Sequence, residues 1–251
     1  MAIGRLCEIA EIERLTEDIY SFRLDAGPMA REAVPGQFVH IKCGGRQLLR
    51  RPISICETEG DLLRIVFQVR GTGTEWLSGR RTGERLDVLG PLGTGFRIPA
   101  EGKILLAGGG IGSAPLLFAG KNAPGRAEAV LGFRDSAGVI LTEDFARAGI
   151  PVRAATEDGS FGTAGRVDLP AWERLAAGDC SAVLACGPTP MLRAVARAAA
   201  QAKVPCQVSL EERMGCGIGA CLTCSCKVNG HYLRVCKDGP VFDAGEVDWD
   251  A

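Results

Sequence analysis

Five of the eleven cysteines crowd into the 21 positions from Cys216 to Cys236. Within ERMGCGIGACLTCSC, four residues separate Cys216 from Cys221 and two separate Cys221 from Cys224, with Cys236 further on. This is the plant-type spacing of a [2Fe–2S] cluster. A tight loop must bring three thiolates to a small cluster and aim main-chain N–H groups at its sulfurs, and Gly215, Gly217 and Gly219 stand where side chains would collide. The fourth ligand then arrives from a later strand. A structural zinc site is the alternative, but zinc ribbons use two close cysteine pairs, and here a lone Cys236 replaces one pair. Cys226, two residues past Cys224, is left out of the ligand set as a packed thiol near the site.

Two other kinds of site can be read in the chain. Arg50, Arg51, Pro52, Ile53 and Ser54 follow a strand-like run. An arginine beside a proline-fixed backbone suits an anionic pyrophosphate, and the serine hydroxyl can bond a flavin ring; two surface arginines before a strand would look the same. Gly71, Thr72, Gly73 and Thr74 precede EWLSG, a helix entry whose free N–H groups can receive a phosphate, or an ordinary turn. LLAGGGIGSAP, with Gly108, Gly109, Gly110 and Gly112, follows a strand and opens a helix as a dinucleotide-binding turn does. Pro115 takes the place of the last fingerprint glycine. Cys186, Gly187 and Pro188 end another apolar strand, at the edge where α/β sheets bind ligands, or simply where a core strand stops. His40 and His231 lie in strand-like surroundings without a partner motif, which predicts packed or surface roles, and no Ser/His/Asp set is present.

These residues need three kinds of scaffold. Residues 1–99 alternate short branched and aromatic runs (QFVHIKC, LLRIVFQV) with Gly, Pro and Asp turns, the rhythm of an antiparallel β-barrel. Residues 100–205 alternate apolar strand-like runs (KILLAG, AEAVLGF, SAVLACG) with Ala-rich helical stretches, the pattern of a parallel-sheet α/β nucleotide-binding domain. Residues 206–251 are too few and too rich in Gly and Cys to build an apolar core, which leaves a metal or cluster to hold them. With 29 Lys and Arg against 30 Asp and Glu in 251 residues, the net charge is -1 and no basic field favours nucleic acid. The least polar stretch, residues 104–120, is broken by glycines and Pro115, so no membrane span is expected. The N-terminus lacks the pattern of a secretion signal, and an odd number of cysteines suits reduced thiols, which together point to the cytoplasm.

The order RPIS, GTGT, GGGIGSAP, CGPTPM and C-terminal cysteines resembles the ferredoxin reductase family, with a flavin barrel first and a nicotinamide domain second. EERMGCGIGACLTCSC and VCKDGPVFDAGEVDW narrow the resemblance to the electron transfer subunits of class B dihydroorotate dehydrogenases, over essentially the whole chain. The resemblance implies cluster ligands at Cys216, Cys221, Cys224 and Cys236. It implies FAD contacts at Arg51, Pro52, Ile53 and Ser54, at Val66, Phe67 and Gln68, and at Gly73 and Thr74. It also implies NAD as the acceptor, although Arg134 could meet a 2′-phosphate that Asp135 beside it would repel. Ile53 stands where the wider family carries an aromatic residue on the flavin. A nicotinamide exchanges two electrons and a [2Fe–2S] cluster one, so a flavin must convert between them. The implied partner is an FMN-containing catalytic subunit that oxidises dihydroorotate, in a heterotetramer of two copies of each chain. The related flavin and iron–sulfur subunits of sulfide dehydrogenase or ferredoxin:NADP oxidoreductase complexes share this layout, and a zinc-bound interaction module is the non-enzyme alternative.

Overall fold

The computed structural model describes residues 3–45 and 47–250. Six strands close an antiparallel barrel: β1 (Ile3–Arg14), β2 (Ile19–Asp25), β3 (Phe38–Ile41), β4 (Arg51–Glu59), β5 (Leu62–Gln68) and β6 (Arg85–Leu92), in the order β1-β2-β5-β4-β3-β6. The alternation in β6, with Leu86, Val88 and Leu92 buried between more open residues, is the period of a strand wet on one side. Leu86 and Val88 meet Ile9, Phe22, Leu24, Ile41, Ile55, Ile65 and Phe67 in one core. Two short helices, α1 (Pro28–Glu32) and α2 (Thr72–Ser78), connect strands of the barrel.

The second layer system contains β7 (Lys103–Gly109), β8 (Ala127–Phe133), β9 (Val152–Thr156), β10 (Thr163–Ala164), β11 (Cys180–Cys186) and β12 (Cys206–Ser209), with helices α3 (Ser113–Lys121), α4 (Thr142–Arg147), α5 (Asp168–Ala176) and α6 (Thr189–Gln201). The strands pair in parallel in the order β10-β9-β8-β7-β11-β12. Because successive side chains in a strand point to opposite faces, β7 divides its apolar run between two cores. Ile104 and Leu106 pack with Leu116, Leu117 and Phe145 of α3 and α4, while Leu105 and Ala107 pack with Leu175, Leu192 and Val195 of α5 and α6. Among the described residues no helix is long and apolar enough to cross a membrane.

The last region is not separate from the other two. The expected boundary at 205/206 precedes β12, which pairs with β11, and β15 (Val241–Asp243) returns to pair antiparallel with β12. Between them, β13 (Ser225–Val228) and β14 (His231–Arg234) form a hairpin across Asn229-Gly230, both at positive φ, as a type I′ turn requires. The core of this region is borrowed: Val228, Val235, Cys224, Cys236 and Phe242 pack on Phe38 and Leu92 of the barrel. A short chain without enough apolar surface of its own is therefore held by its neighbours as well as by whatever its cysteines bind.

A buried ion network joins barrel to α/β layers. Arg64, 3% exposed, donates to Ser21 Oγ (2.7 Å), Glu57 Oε1 (3.0 Å) and Asp144 Oδ1 (2.7 Å), and Lys121 meets the other Glu57 oxygen. Burial pushes the Glu57 carboxyl pKa up, but the hydrogen bonds from Lys121 and Arg64 outweigh it and hold it below its ordinary value. Glu57→Ala leaves a buried guanidinium short of its partner, so a loss of about 3–5 kcal/mol is expected in thermal or denaturant unfolding. Because the folded pKa lies below the unfolded one, the stability Glu57 contributes is present above the unfolded glutamate pKa of about 4.3 and is lost as the pH falls through the folded value.

Candidate functional site

Three sites meet along the seam between barrel and sheet. In the cluster loop, Ile218, Ala220 and Cys221 N–H groups point at Cys216 Sγ (3.5, 3.2 and 3.4 Å). Gly219 N–H points at Cys236 Sγ (3.1 Å), Cys236 N–H at Cys224 Sγ (3.4 Å), and the Thr223 hydroxyl at Cys221 Sγ (3.2 Å). Donors of this kind favour thiolate over thiol. The Cys221 pKa is accordingly brought down to about 6, chiefly by Thr223. Burial opposes the same effect at Cys216, but the main-chain donors of Ile218, Cys221 and Ala220 prevail and lower it. Burial and the neighbouring Cys224 push Cys236 up to about 12.

Among the described residues no three His, Cys, Asp or Glu side chains close around a single-ion position. The four thiols group two and two: Cys216 with Cys221, and Cys224 with Cys236. One tetrahedral zinc needs all four sulfurs about 2.3 Å from a common point, whereas two bridged irons can each take one pair, so the donor set fits a two-iron cluster. Cys226 receives none of the N–H groups aimed at the other sulfurs, and burial pushes its thiol up to about 11. A Cβ at Gly215 would come within 3.1 Å of Cys221 Sγ. At Gly217 (φ +72°) it would lie 2.5 Å from the His40 ring, and at Gly219 2.6 Å from the Lys237 side chain. The glycines are needed as much for what packs outside the loop as for what it wraps.

A cavity of about 330 Å³ brings together Arg51, Pro52, Ile53, Ser54, Val66, Phe67, Gln68 and Thr74 with Gly112 and Cys186. Sequence-distant flavin and nicotinamide signals thus share one wall. Arg50 does not belong to it: its guanidinium makes two 2.9 Å hydrogen bonds to the Asp87 carboxylate, welding β4 to β6 and leaving Arg51 as the cation at the cleft. The Thr74 hydroxyl closes its own turn, accepting from Arg70 N–H (2.9 Å) and donating to Gly71 C=O (3.0 Å). Gly73 is not in the lining of this cavity but lies under Arg51, whose guanidinium would collide with a Cβ there.

The two nicotinamide-type turns interlock at the carboxyl ends of adjacent β7 and β11. A Cβ on Gly112 would collide with Cys186 C=O, and one on Gly109 would sit 2.6 Å from Met191 Sδ. Gly108 is spent on packing against Leu131, and Gly187 against Gly109. A second, larger cavity of about 710 Å³ opens beside them, lined by Gly109, Gly110, Phe133, Arg134, Glu157 and Pro188. Asp135 does not share that lining. Its carboxylate accepts from Gly138 N–H and caps the 136–138 turn, one residue from the Arg134 that does line the cavity. Glu157, not singled out by any motif, is the carboxylate at that cavity. Glu211 is a second such residue. It leads into the cysteine loop and lines the 330 Å³ cleft. Neither follows from a spacing rule, because each reaches its cavity from a loop remote in sequence from the rest of the lining.

Residues 211–248 match the model of the iron–sulfur cluster binding domain of dihydroorotate dehydrogenase B. Over 97% of this chain and 97% of the relative, the sequence is 39% identical to the dihydroorotate dehydrogenase B (NAD(+)) electron transfer subunit of Desulforamulus reducens. The corresponding subunit of Geobacillus kaustophilus is 43% identical, over 95% of this chain and 96% of that protein. The chain belongs to the family of dihydroorotate dehydrogenase B electron transfer subunits. A solved structure of an NADH-dependent reduced ferredoxin-NADP oxidoreductase superposes with a TM-score of 0.87 at 34% identity, covering 98% of this chain and 91% of that one. The family thus joins a ferredoxin reductase-type barrel and nucleotide layer to a C-terminal iron–sulfur segment, and in this chain those parts converge on one cleft.

Proposed function

We propose that this chain carries electrons from a catalytic subunit that oxidises dihydroorotate to NAD, through a [2Fe–2S] cluster on Cys216, Cys221, Cys224 and Cys236 and an FAD on the β4–β5 cleft, within pyrimidine synthesis in the cytoplasm. The observation that carries it is the single cleft wall on which Arg51–Ser54 and Val66–Gln68 face Gly112 and Cys186, one loop away from the paired thiols. A bound FAD trades a hydride with the nicotinamide and single electrons with the cluster. The chain's own groups do the rest. Arg51 supplies a charge for the pyrophosphate, and Ser54 a hydroxyl for the ring. The Gly108–Gly112 and Cys186–Pro188 turns admit the nicotinamide, the Gly109, Gly110 and Pro188 cavity holds the remainder of NAD, and main-chain N–H groups offset thiolate charge.

The partner in this reading is a subunit carrying FMN, in a heterotetramer of two of each chain. The cluster end suits docking, because Cys221 is exposed and the apolar Ile218 and Leu222 beside it are 54% and 62% exposed. The likeness to the ferredoxin-NADP oxidoreductase supports a second reading, a subunit of a complex of that kind. Purification under anaerobic conditions with the native partner distinguishes them. We expect iron and acid-labile sulfide at two each and one FAD per chain, together with an FMN-bearing partner that turns dihydroorotate into orotate. Zinc without sulfide would remove the electron-transfer reading, and a partner inert to dihydroorotate would favour the second.

A further inference from the structure

His40 is entirely buried, and neither ring nitrogen has a hydrogen-bond partner among the described residues. A neutral imidazole carries one N–H donor and one acceptor, and burying such a group unpaired costs its desolvation without a compensating hydrogen bond. An apolar side chain would fill the same space without that cost, so the ring needs an explanation. Its base is rigid. The residue pairs with Pro52 on one side and Leu89 on the other, and its carbonyl accepts from Arg50 Nη1 (3.3 Å), itself clamped to Asp87. Its tip is pressed on the cluster loop: a Cβ on Gly217 would be 2.5 Å from Nδ1 and 3.1 Å from Cε1. The main-chain carbonyls of Arg50 and Cys216, one from the flavin barrel and one from the cluster loop, act on the ring, although neither completes a hydrogen bond with it.

We infer that His40 is a positioning residue for electron transfer, the strut through which the flavin-binding strands set the place and orientation of Cys216 in the cluster loop. The ring acts on the loop by contact at Gly217, and one residue ahead of that contact lies Cys216. Groups behind a metal ligand orient it and set its electron density. His40 does so from the strand whose neighbour carries the RPIS run, so the spacing between the two redox groups passes through this side chain. The inference rests on Cys216 being a cluster ligand.

The test compares wild type, His40→Leu and His40→Gln as full chains carrying FAD and cluster. Flavin content and NADH oxidation by ferricyanide should stay at wild-type levels in both variants. In His40→Leu the EPR signature and midpoint potential of the reduced cluster should shift, and its reduction by NADH in stopped flow should slow about tenfold. Glutamine keeps a planar polar end of similar reach and should restore most of the signature and rate. A His40→Leu chain with wild-type EPR, potential and cluster reduction overturns the inference and leaves the ring as packing. If His40→Leu does not accumulate, His40→Met, also apolar, takes its place: a shifted signature with about tenfold slower cluster reduction supports the strut, and wild-type EPR, potential and cluster reduction overturn it. Wild-type chain without iron and sulfide would instead remove the cluster reading itself.

Discussion

Cys221→Ser, assembled with the catalytic subunit, is expected to abolish reduction of NAD by dihydroorotate while the same sample still oxidises NADH with ferricyanide. The two activities separate because the proposed cleft for FAD and nicotinamide is lined mainly by β4, β5, the turn after β7 and the end of β11, and Cys221 is not part of that lining. The thiol itself is exposed, and the Thr223 hydroxyl and nearby N–H groups bring its pKa down to about 6, which makes it a ready thiolate ligand. Serine removes that ligand with little change in volume. The segment around it retains its packing on Phe38 and Leu92 and the pairing of β12 with β15, so the fold should outlast the cluster. Cys226→Ser is the control, since that thiol has none of the aimed donors, and it should keep iron, sulfide and coupled turnover. Coupled turnover at the wild-type rate in the Cys221→Ser sample would show that electrons bypass the cluster. Equal iron loss in Cys226→Ser would show that the fourth ligand is misassigned.

Arg51→Ala should weaken FAD retention by about 10- to 150-fold, the equivalent of roughly 1.5–3 kcal/mol for a charge-assisted hydrogen bond. Arg51 rather than Arg50 is the residue to change, because Arg50 is committed to Asp87 and its loss would disturb the barrel. Gly73→Ala offers an independent route to the same defect, since a methyl group there would collide with the Arg51 guanidinium and displace it. If both act through one contact, the double variant should lose less than the sum of the single losses. Flavin release followed by fluorescence during dialysis measures all three. Full additivity would mean that Gly73 holds the cofactor by some means other than Arg51.

Much of this site can be read from local pattern. The spacing of Cys216, Cys221 and Cys224 is a property of one loop, and a loop's geometry is set by its own residues. The strand-turn-helix signal at Gly108–Gly112 is likewise local, and the structure has β7, a short turn and α3 there. His40 was legible only as a buried or surface histidine. Its contact with Gly217 spans 177 positions of chain, and no periodicity encodes a contact that long. Asp135, read from the sequence as a charge near the nucleotide, has a carboxylate that also caps a turn three residues away, a local role that the sequence reading did not anticipate.

By itself the sequence determined which chemistry is available: thiolates at cluster spacing, an Arg-Pro run for an anion, glycine turns for a dinucleotide, and the order barrel, parallel sheet, cysteine segment. Those features depend on residue type and near-neighbour spacing, which the chain carries whatever its fold. Tertiary structure alone decided how they meet. It joined the last region to the others through β12, β15 and a shared core at Phe38 and Leu92, chose Arg51 over Arg50 for the cleft, and brought Glu157 and Glu211 to cavities that no motif announces. The reason is physical. Burial and hydrogen-bond satisfaction are properties of the whole packed chain, and only when β3, β4 and the cysteine loop compete for the same space is it settled which side chain faces a cofactor and which is spent on holding the fold.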